Sequence, residues 1–159
     1  MGTGKSVVGR LLAKKLRRPF LDLDERIERQ AGRSIAELFA TEGEAGFRKR
    51  ETHVVQKVAA LKNHIIATGG GVMLNEDNVR ALKRSGLLVC LTASPEMIFE
   101  RTSASVHARP LLRGPDPRSR IEELLKLRTA SYAQVDIAID SSKRSVQEVA
   151  EEILKFLSK

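Results

Sequence analysis

Four short apolar segments are separated along the 159-residue chain by longer segments with helical periodicity. We predict that these four segments are strands, over residues 20–24, 65–67, 87–91 and 135–139. Strands that alternate with helices favour a parallel sheet, because consecutive parallel strands need a connection long enough to hold a helix. We therefore predict an α/β fold with helices on both faces of a parallel sheet, whose ligands bind beyond the carboxyl ends of the strands.

The segments between the strands repeat apolar residues at the spacing of an amphipathic helix. We predict helices over residues 5–16, 24–31, 34–41, 44–62, 76–85, 119–131 and 146–157, with a further helix opened by Pro95. Residues about 103–118 are rich in Arg, Pro, Gly and Ser, which predicts a mobile loop. The length favours a single domain over residues 1–159.

Positive charge is concentrated in two segments of a chain whose formal net charge is +8. Residues 1–20 contain six basic residues and no acidic one, and residues 101–120 contain five arginines and one acid. Such segments suit a polyanion, although any single lysine or arginine can equally lie on a solvated helix face. Only 4% of the residues are aromatic, and there is no stacking motif, which argues against a nucleic-acid partner.

Several classes of protein are disfavoured by composition. A single cysteine, Cys90, excludes internal disulfides and a cysteine-rich zinc site. No apolar run approaches the ~20 residues of a membrane span, and no signal-peptide core follows Met1. We expect a cytoplasmic monomer without a membrane partner.

A glycine-rich segment near the start of the chain predicts a phosphate-binding loop. Residues 2–6 read Gly-Thr-Gly-Lys-Ser and precede a predicted helix, whose N-terminal partial charge favours phosphate oxygens. In the pattern G-x-x-x-x-G-K-[ST], the lysine reaches the β- and γ-phosphates and the hydroxyl binds Mg²⁺. The opening glycine of that pattern would fall ahead of Met1, so an ordinary glycine-rich arm is the alternative.

Two aspartates follow at the end of the first predicted strand. Asp22 and Asp24 are two residues apart, and on a strand both side chains would point to one face. Beside a triphosphate, one carboxylate can organise a metal ion while the other accepts a hydroxyl proton. The alternative for Asp24 is a helix cap.

Three later segments carry candidate ligand contacts, each with a structural alternative. Arg48 could clamp a substrate carboxylate, or form surface pairs with Glu44 and Glu51 at helical spacing. The glycines at 69–71 allow close approach to a ligand, or form a flexible turn. Arg109, inside the predicted loop, could close over a phosphoryl group, or lie in solvent.

These segments resemble the shikimate kinase family in their order and spacing, from Gly2 to the last predicted helix. The resemblance implies a three-layer P-loop kinase fold and the ATP-dependent phosphorylation of the 3-hydroxyl of shikimate, a step towards chorismate and the aromatic amino acids. The matching segments are residues 2–6 (GTGKS), 22–24 (DLD), 32–35 (GRSI), 47–48 (FR), 69–71 (GGG) and 109–112 (RPLL), with Arg128 and Tyr132.

The resemblance also implies a role for each matching residue on the nucleotide side. Lys5 is the catalytic lysine at the phosphates, Ser6 is the Mg²⁺ ligand, and Asp22 supports the metal ion through water. Arg109 is the catalytic arginine of a mobile lid over about 103–118. The residues implied at ATP are Gly2, Thr3, Gly4, Lys5, Ser6, Val7 and Arg109, with Arg101 and Arg144 as weaker candidates near the adenine.

On the substrate side, the resemblance implies that Asp24 contacts the reacting hydroxyl and is the expected base. Arg48 and Arg128 resemble the arginines that bind the substrate carboxylate, and Gly69, Gly70 and Gly71 border the substrate. Helices over about 24–62 form the substrate-binding region.

The chain departs from the family at its start. Family members begin with a strand that lies in the middle of the sheet, in the order 2-3-1-4-5, and this strand is absent here. We expect that the chain starts at an internal methionine, and that the natural protein is longer by one strand and its turn, about ten residues. The alternatives to a shikimate kinase are a catalytically weak or silent relative, and another small P-loop kinase for gluconate or a nucleoside monophosphate.

Overall fold

The computed structural model describes residues 2–103, 110–112 and 114–158. Within them, strands alternate with helices as predicted, and two short 3₁₀ turns lie at Val72–Leu74 and Pro110–Leu112. The elements are α1 (Lys5–Leu16), β1 (Phe20–Asp22), α2 (Leu23–Ala31), α3 (Ile35–Ala59), β2 (Ile65–Ala67), α4 (Glu76–Lys83), β3 (Val89–Thr92), α5 (Pro95–Thr102), α6 (Pro117–Tyr132), β4 (Ile137–Asp140) and α7 (Val146–Leu157).

Most element boundaries lie within a few residues of the predicted ones, and the differences have local causes. The first strand ends at Asp22 rather than residue 24, because Asp22 caps α2. Helix α6 begins at Pro117, since Asp116 accepts hydrogen bonds from the amides of the first turn, so the end of the predicted loop is helical. Residues 104–109 and 113 of that loop lie outside the described residues.

Helix α3 contains the break that the sequence predicted between two helices. Its start is fixed by a capping box, in which Ser34 and Glu37 exchange hydrogen bonds. Gly43 then leaves the helical conformation, with φ 67° and ψ 179°. This left-handed φ favours glycine, and it redirects the second half of α3, which carries Phe47 and Val54 into the core.

The strands form two separate parallel pairs. In one, β1 pairs with β2 and Phe20 lies opposite Ile65; in the other, β3 pairs with β4 and Val89 lies opposite Ile137. These pairs correspond to neighbours 2-3 and 4-5 of the predicted order. A cavity of about 610 Å³ lies between β2 and β3; residues of α1 such as Leu12 line one part of it, and Lys5, Gly70 and Arg128 line another. We call it the inter-sheet cavity.

Three apolar clusters cover the strand pairs. Helices α2, α3 and α4 pack around Leu23, Leu38 and Val55, while α1 and α7 pack against β3 and β4 through Val8 and Ile153. Helices α5 and α6 form the third cluster. In residues 2–103, 110–112 and 114–158, no helix is long and apolar enough to cross a membrane.

The inter-sheet cavity predicts a large gain in stability from an added strand. Among the described residues, β2 and β3 each pair with one strand only, and we expect an extended apolar segment joined ahead of Gly2 to pair with both. Burial of three or four apolar side chains, at about 1.5–3 kcal/mol each, should raise the Tm by at least about 10 °C.

Differential scanning calorimetry of the two chains measures this gain. The matched control carries the same extension with prolines at alternate positions, which cannot donate to a neighbouring strand. Equal melting temperatures for the parent chain and the apolar extension would contradict the prediction.

Candidate active site

The first turn of α1 forms a cradle that suits phosphate oxygens. Gly4, at its N-cap, has φ 84° and no side-chain cap, so no side chain accepts from the first-turn amides. The space beside the Gly4 Cα is open, with no atom within 4 Å of where a Cβ would lie. Free amides and the helix dipole together favour an anion here.

Lys5 supplies a positive charge with little solvent around it. Burial lowers the pKa of its ammonium; the nearby Asp24 carboxylate opposes this shift and the Arg128 guanidinium adds to it. Lys5 Nζ donates to Thr3 Oγ1 at 3.4 Å. A desolvated ammonium that donates to a hydroxyl at such a long distance is stabilised by an incoming anion.

Asp22 connects the end of β1 to both α1 and α2. Its Oδ1 accepts from the Asp24 amide at 3.0 Å, and its Oδ2 accepts from Ser6 Oγ at 2.6 Å. The first bond caps α2 and places Asp24 in the first helical turn. The prediction that both aspartates lie on a strand and face one way was therefore wrong, as was the alternative in which Asp24 itself is the cap.

Asp24 nevertheless lies within the cluster of predicted site residues. A Cβ built on Gly69 would be 3.1 Å from Asp24 Oδ1, so this carboxyl borders the loop after β2. Burial raises the pKa of Asp24, the Asp22 carboxylate raises it further, and the Lys5 ammonium opposes both. A carboxyl with a raised pKa is a stronger base than an exposed aspartate, which suits proton acceptance from a hydroxyl.

Arg48 is held by two acids on its own helix. Its guanidinium donates to Glu51 at 2.8 Å and to Glu44 at 3.1 Å. The same guanidinium lies against Gly71, where any Cβ would collide with its Nη1 atom. Arg48 therefore faces the loop at 69–71 instead of lying in a purely exposed pair.

Glu51 is the residue that the sequence interpretation missed. It was considered only as a surface partner of Arg48, but it is 1% exposed, and its Oε1 has no hydrogen-bond partner among the described residues. Burial raises its pKa, and Arg48 lowers it. The sequence does contain a signal for the burial of Glu51, because Glu51 lies on the apolar stripe that carries Phe47, Val54 and Val55.

Arg128 is the most deeply buried arginine of the cluster. It is 3% exposed, and within the described part of the chain its Nε has no hydrogen-bond partner and its guanidinium forms no ion pair. Its Nη1 lies 2.6 Å from where a Cβ on Gly70 would be. A buried and unpaired guanidinium of this kind suits a bidentate anion such as a carboxylate.

The three glycines after β2 bring these charged groups together. Asp24 and Glu51 border Gly69, Arg128 borders Gly70, and Arg48 borders Gly71. Side chains at 69–71 would displace one or more of these groups. The segment is thus closely packed by protein side chains, and its close approach to a ligand stays a prediction.

The four remaining predicted site residues differ in where they lie. Arg101 donates to the carbonyls of Ser141 and Ser142 at 2.7 and 3.2 Å, and it approaches the Gly2 carbonyl at 3.5 Å, so it borders the loop. Arg144 instead pairs with Glu152 of α7. Val7 is 58% exposed at the start of α1. Arg109 lies outside the described residues.

A divalent cation would find two hard oxygen donors here. Ser6 Oγ and Asp22 Oδ2 are 2.6 Å apart. Within the described part of the chain, no cluster of three or more His, Cys, Asp or Glu residues could hold a metal ion alone. This donor set fits Mg²⁺, which commonly uses one or two protein oxygens and completes its shell with substrate phosphates and water.

Comparison with known proteins agrees with this geometry. A family model described as shikimate kinase matches residues 1–158. The chain is 48% identical to a shikimate kinase of Symbiobacterium thermophilum, over 99% of this chain and 91% of the relative. It is 46% identical to one of Caldanaerobacter subterraneus subsp. tengcongensis, over 98% of this chain and 90% of the relative.

Solved structures agree as well. The shikimate kinase of Acinetobacter baumannii, solved in complex with shikimate, superposes with a TM-score of 0.94 at 38% identity, over 99% of this chain and 88% of that one. The Aquifex aeolicus shikimate kinase gives 0.85 at 37% identity, over 99% of this chain and 92% of that one.

The fold and the cradle at α1 define a small α/β kinase of the P-loop class. Kinases of this type use ATP as a substrate. Within that class, the chain belongs to the shikimate kinase family.

The two aspartates should have opposite effects on stability. Asp24→Asn removes a buried carboxylate whose pKa is raised, so it should increase the free energy of unfolding at pH 8. This gain should shrink as the pH falls, because a raised folded pKa makes the parent itself more stable below that pKa. Asp22→Ala removes a helix cap and should cost about 0.5–2 kcal/mol.

Urea unfolding at pH 8 and pH 4 measures both effects. A destabilised Asp24→Asn variant at pH 8 would show that the carboxylate is stabilising and contradict the prediction.

Proposed function

We propose that this chain transfers the γ-phosphoryl group of ATP to the 3-hydroxyl of shikimate, forming shikimate 3-phosphate and ADP. The observation that carries the proposal is the juxtaposition of two anion sites. One consists of the α1 cradle with Lys5, and the other of Arg128 with Arg48. Asp24, whose pKa is raised, borders Gly69 in the same glycine loop that the two arginines border at Gly70 and Gly71, and it interacts with Lys5.

The nucleotide side takes a polyphosphate. The amides at 2–6 would receive phosphate oxygens, and the Lys5 ammonium would stabilise charge at the β- and γ-phosphates. Ser6 and Asp22 would hold Mg²⁺, which supplies further neutralisation of phosphate charge when it is bound. We place Arg109 at the transferring phosphoryl group, with Arg101 near the adenine; Arg144, paired with Glu152, has weaker support.

The substrate side takes a monoanion with a hydroxyl group. Arg128 would bind the carboxylate through its guanidinium fork at Gly70, and Arg48 would approach from the neighbouring Gly71. The likeness to a shikimate kinase solved in complex with shikimate supports a cyclic hydroxy acid of this size. Two arginines favour an acid over a neutral polyol.

The reaction breaks one bond to phosphorus and forms another. The 3-hydroxyl oxygen attacks the γ-phosphorus, and the bond from that phosphorus to the β,γ-bridging oxygen breaks, so that ADP leaves with the electron pair. The hydroxyl proton passes to the Asp24 carboxylate. Lys5 stabilises the charge that develops on the leaving oxygen.

A coupled ADP-release assay with and without shikimate tests the proposal. It should be run on this chain and on an N-terminally extended chain, with ³¹P NMR identifying the product. Lys5→Met is the inactive control, which should keep a measurable affinity for shikimate. Turnover of gluconate or of a nucleoside monophosphate, with none of shikimate, would overturn the assignment.

Asp24→Asn should lower kcat by ~10²–10⁴, because the amide cannot accept the hydroxyl proton. In the parent, kcat should fall as the pH drops through the raised pKa of Asp24, and this limb should vanish in the variant. Fixed-time assays of shikimate phosphorylation from pH 5 to pH 9 measure both the loss of kcat and its pH dependence. An unchanged kcat would assign Asp24 a structural role only.

Arg128→Lys should raise the KM for shikimate by about 10–100-fold, because a point charge replaces a planar fork that makes charged hydrogen bonds. The KM for ATP should stay close to that of the parent. Arg80→Lys, an exposed site on α4 that pairs with Asp77, is the matched control. Equal effects on both substrates would contradict a specific carboxylate contact.

A further inference from the structure

Tyr132 lies one helical turn after Arg128, at the end of α6. It is the only tyrosine in the chain, which also contains no tryptophan. Its hydroxyl donates to the Gly70 carbonyl at 3.3 Å. Because residues four apart share a face of a helix, Tyr132 and Arg128 both reach the loop after β2.

The two side chains meet at the same glycine. The position of a Cβ on Gly70 would be 2.6 Å from Arg128 Nη1 and 3.4 Å from the Tyr132 hydroxyl. Burial raises the pKa of Tyr132, while the nearby charge of Arg128 acts to lower that pKa. The hydroxyl donates to the Gly70 carbonyl and lies near the Arg128 guanidinium, and its lone pairs can accept from that guanidinium.

We propose that the Tyr132 hydroxyl is a positioning group that orients Arg128 for an anionic carboxylate without adding a negative charge of its own. It accepts from the guanidinium and donates to Gly70, which fixes the arginine against the loop. The inference rests on the proposed function, since it gives Arg128 a substrate carboxylate to bind.

The contrast with Arg48 explains why a neutral partner matters. Arg48 is oriented by Glu44 and Glu51, whose negative charges offset its own. Arg128 has no such ion pair among the described residues, and a hydroxyl orients it without that offset. Arg128 interacts electrostatically with Glu51 but forms no ion pair with a described acid, so a ligand anion meets a guanidinium whose charge is less offset than that of Arg48, in a buried setting where charge interactions are strong.

Tyr132→Phe removes the hydroxyl and keeps the ring. We expect the KM and the Kd for shikimate to rise about 3–10-fold, as for loss of one hydrogen bond, with little change in kcat or in the KM for ATP. The Kd for shikimate carboxamide, which carries no charge, should not change. Thr129→Val removes an exposed hydroxyl that donates to Leu125 within the same helix, and it should behave as the parent.

Comparison of the acid with the amide separates positioning from general packing. If Tyr132→Phe weakens both ligands equally, or lowers kcat with the KM unchanged, the proposal is overturned. If the parent converts no shikimate, the proposed function itself fails. If the parent is active and Arg128→Lys raises the KM, but Tyr132→Phe changes neither ligand's affinity, only the role of Tyr132 fails.

A spectroscopic test needs no substitution at Tyr132. Incorporation of 3-fluorotyrosine gives a single ¹⁹F signal, because the chain contains one tyrosine. Shikimate should move this signal more than shikimate carboxamide does, since the acid neutralises the charge next to the hydroxyl. Equal shifts with the two ligands, or no shift with either, would overturn the proposal.

Discussion

Buried positive charge at the carboxyl ends of the strands determines the rest of this site. Lys5 loses solvent at the first turn of α1, Arg128 is 3% exposed on α6, and no described acid forms an ion pair with either. Burial of a charge without a partner is costly, and the α1 dipole adds positive potential at the same place. Binding of anions offsets this cost, so the fold itself favours two negatively charged ligands side by side.

The two strand pairs contribute different halves of the site, and the loop at 2–6 joins them. The β1–β2 pair supplies Asp22, Asp24 and the glycines at 69–71. The β3–β4 pair contacts the loop through Ser141, whose hydroxyl donates to the Thr3 carbonyl at 3.1 Å. A transferring phosphoryl group and its acceptor must align within fractions of an ångström. Reaction geometry therefore depends on how firmly the two pairs are held across the inter-sheet cavity.

Local sequence patterns were enough to predict the fold. The predictions that were wrong depended on contacts between residues that the patterns do not show. The bounds of α1, β2 and α7 follow from periodicity and agree with the structure, as does the break before residue 44. Asp24 was placed on a strand because spacing alone does not show that Asp22 caps the next helix. Glu51 was paired with the correct arginine but was predicted to lie on the surface, because a charged side chain at helical spacing from a basic one is usually exposed. Residues 48–50 are all basic, and only the tertiary structure shows that Arg48 faces the glycine loop of the site.

Glu51 influences Asp24, the proposed base, as well as Arg48. Arg48 and Asp24 both border the glycine loop, and a guanidinium beside Asp24 would lower its pKa and weaken it as a base. Glu44 and Glu51 instead hold the Arg48 guanidinium, so that burial, Asp22 and Lys5 govern the pKa of Asp24. The buried glutamate thus forms an ion pair with Arg48 near the proposed base, while its interaction with Arg128 is a weaker one without an ion pair. The two arginines border one loop, and their different partners give them different electrostatic roles.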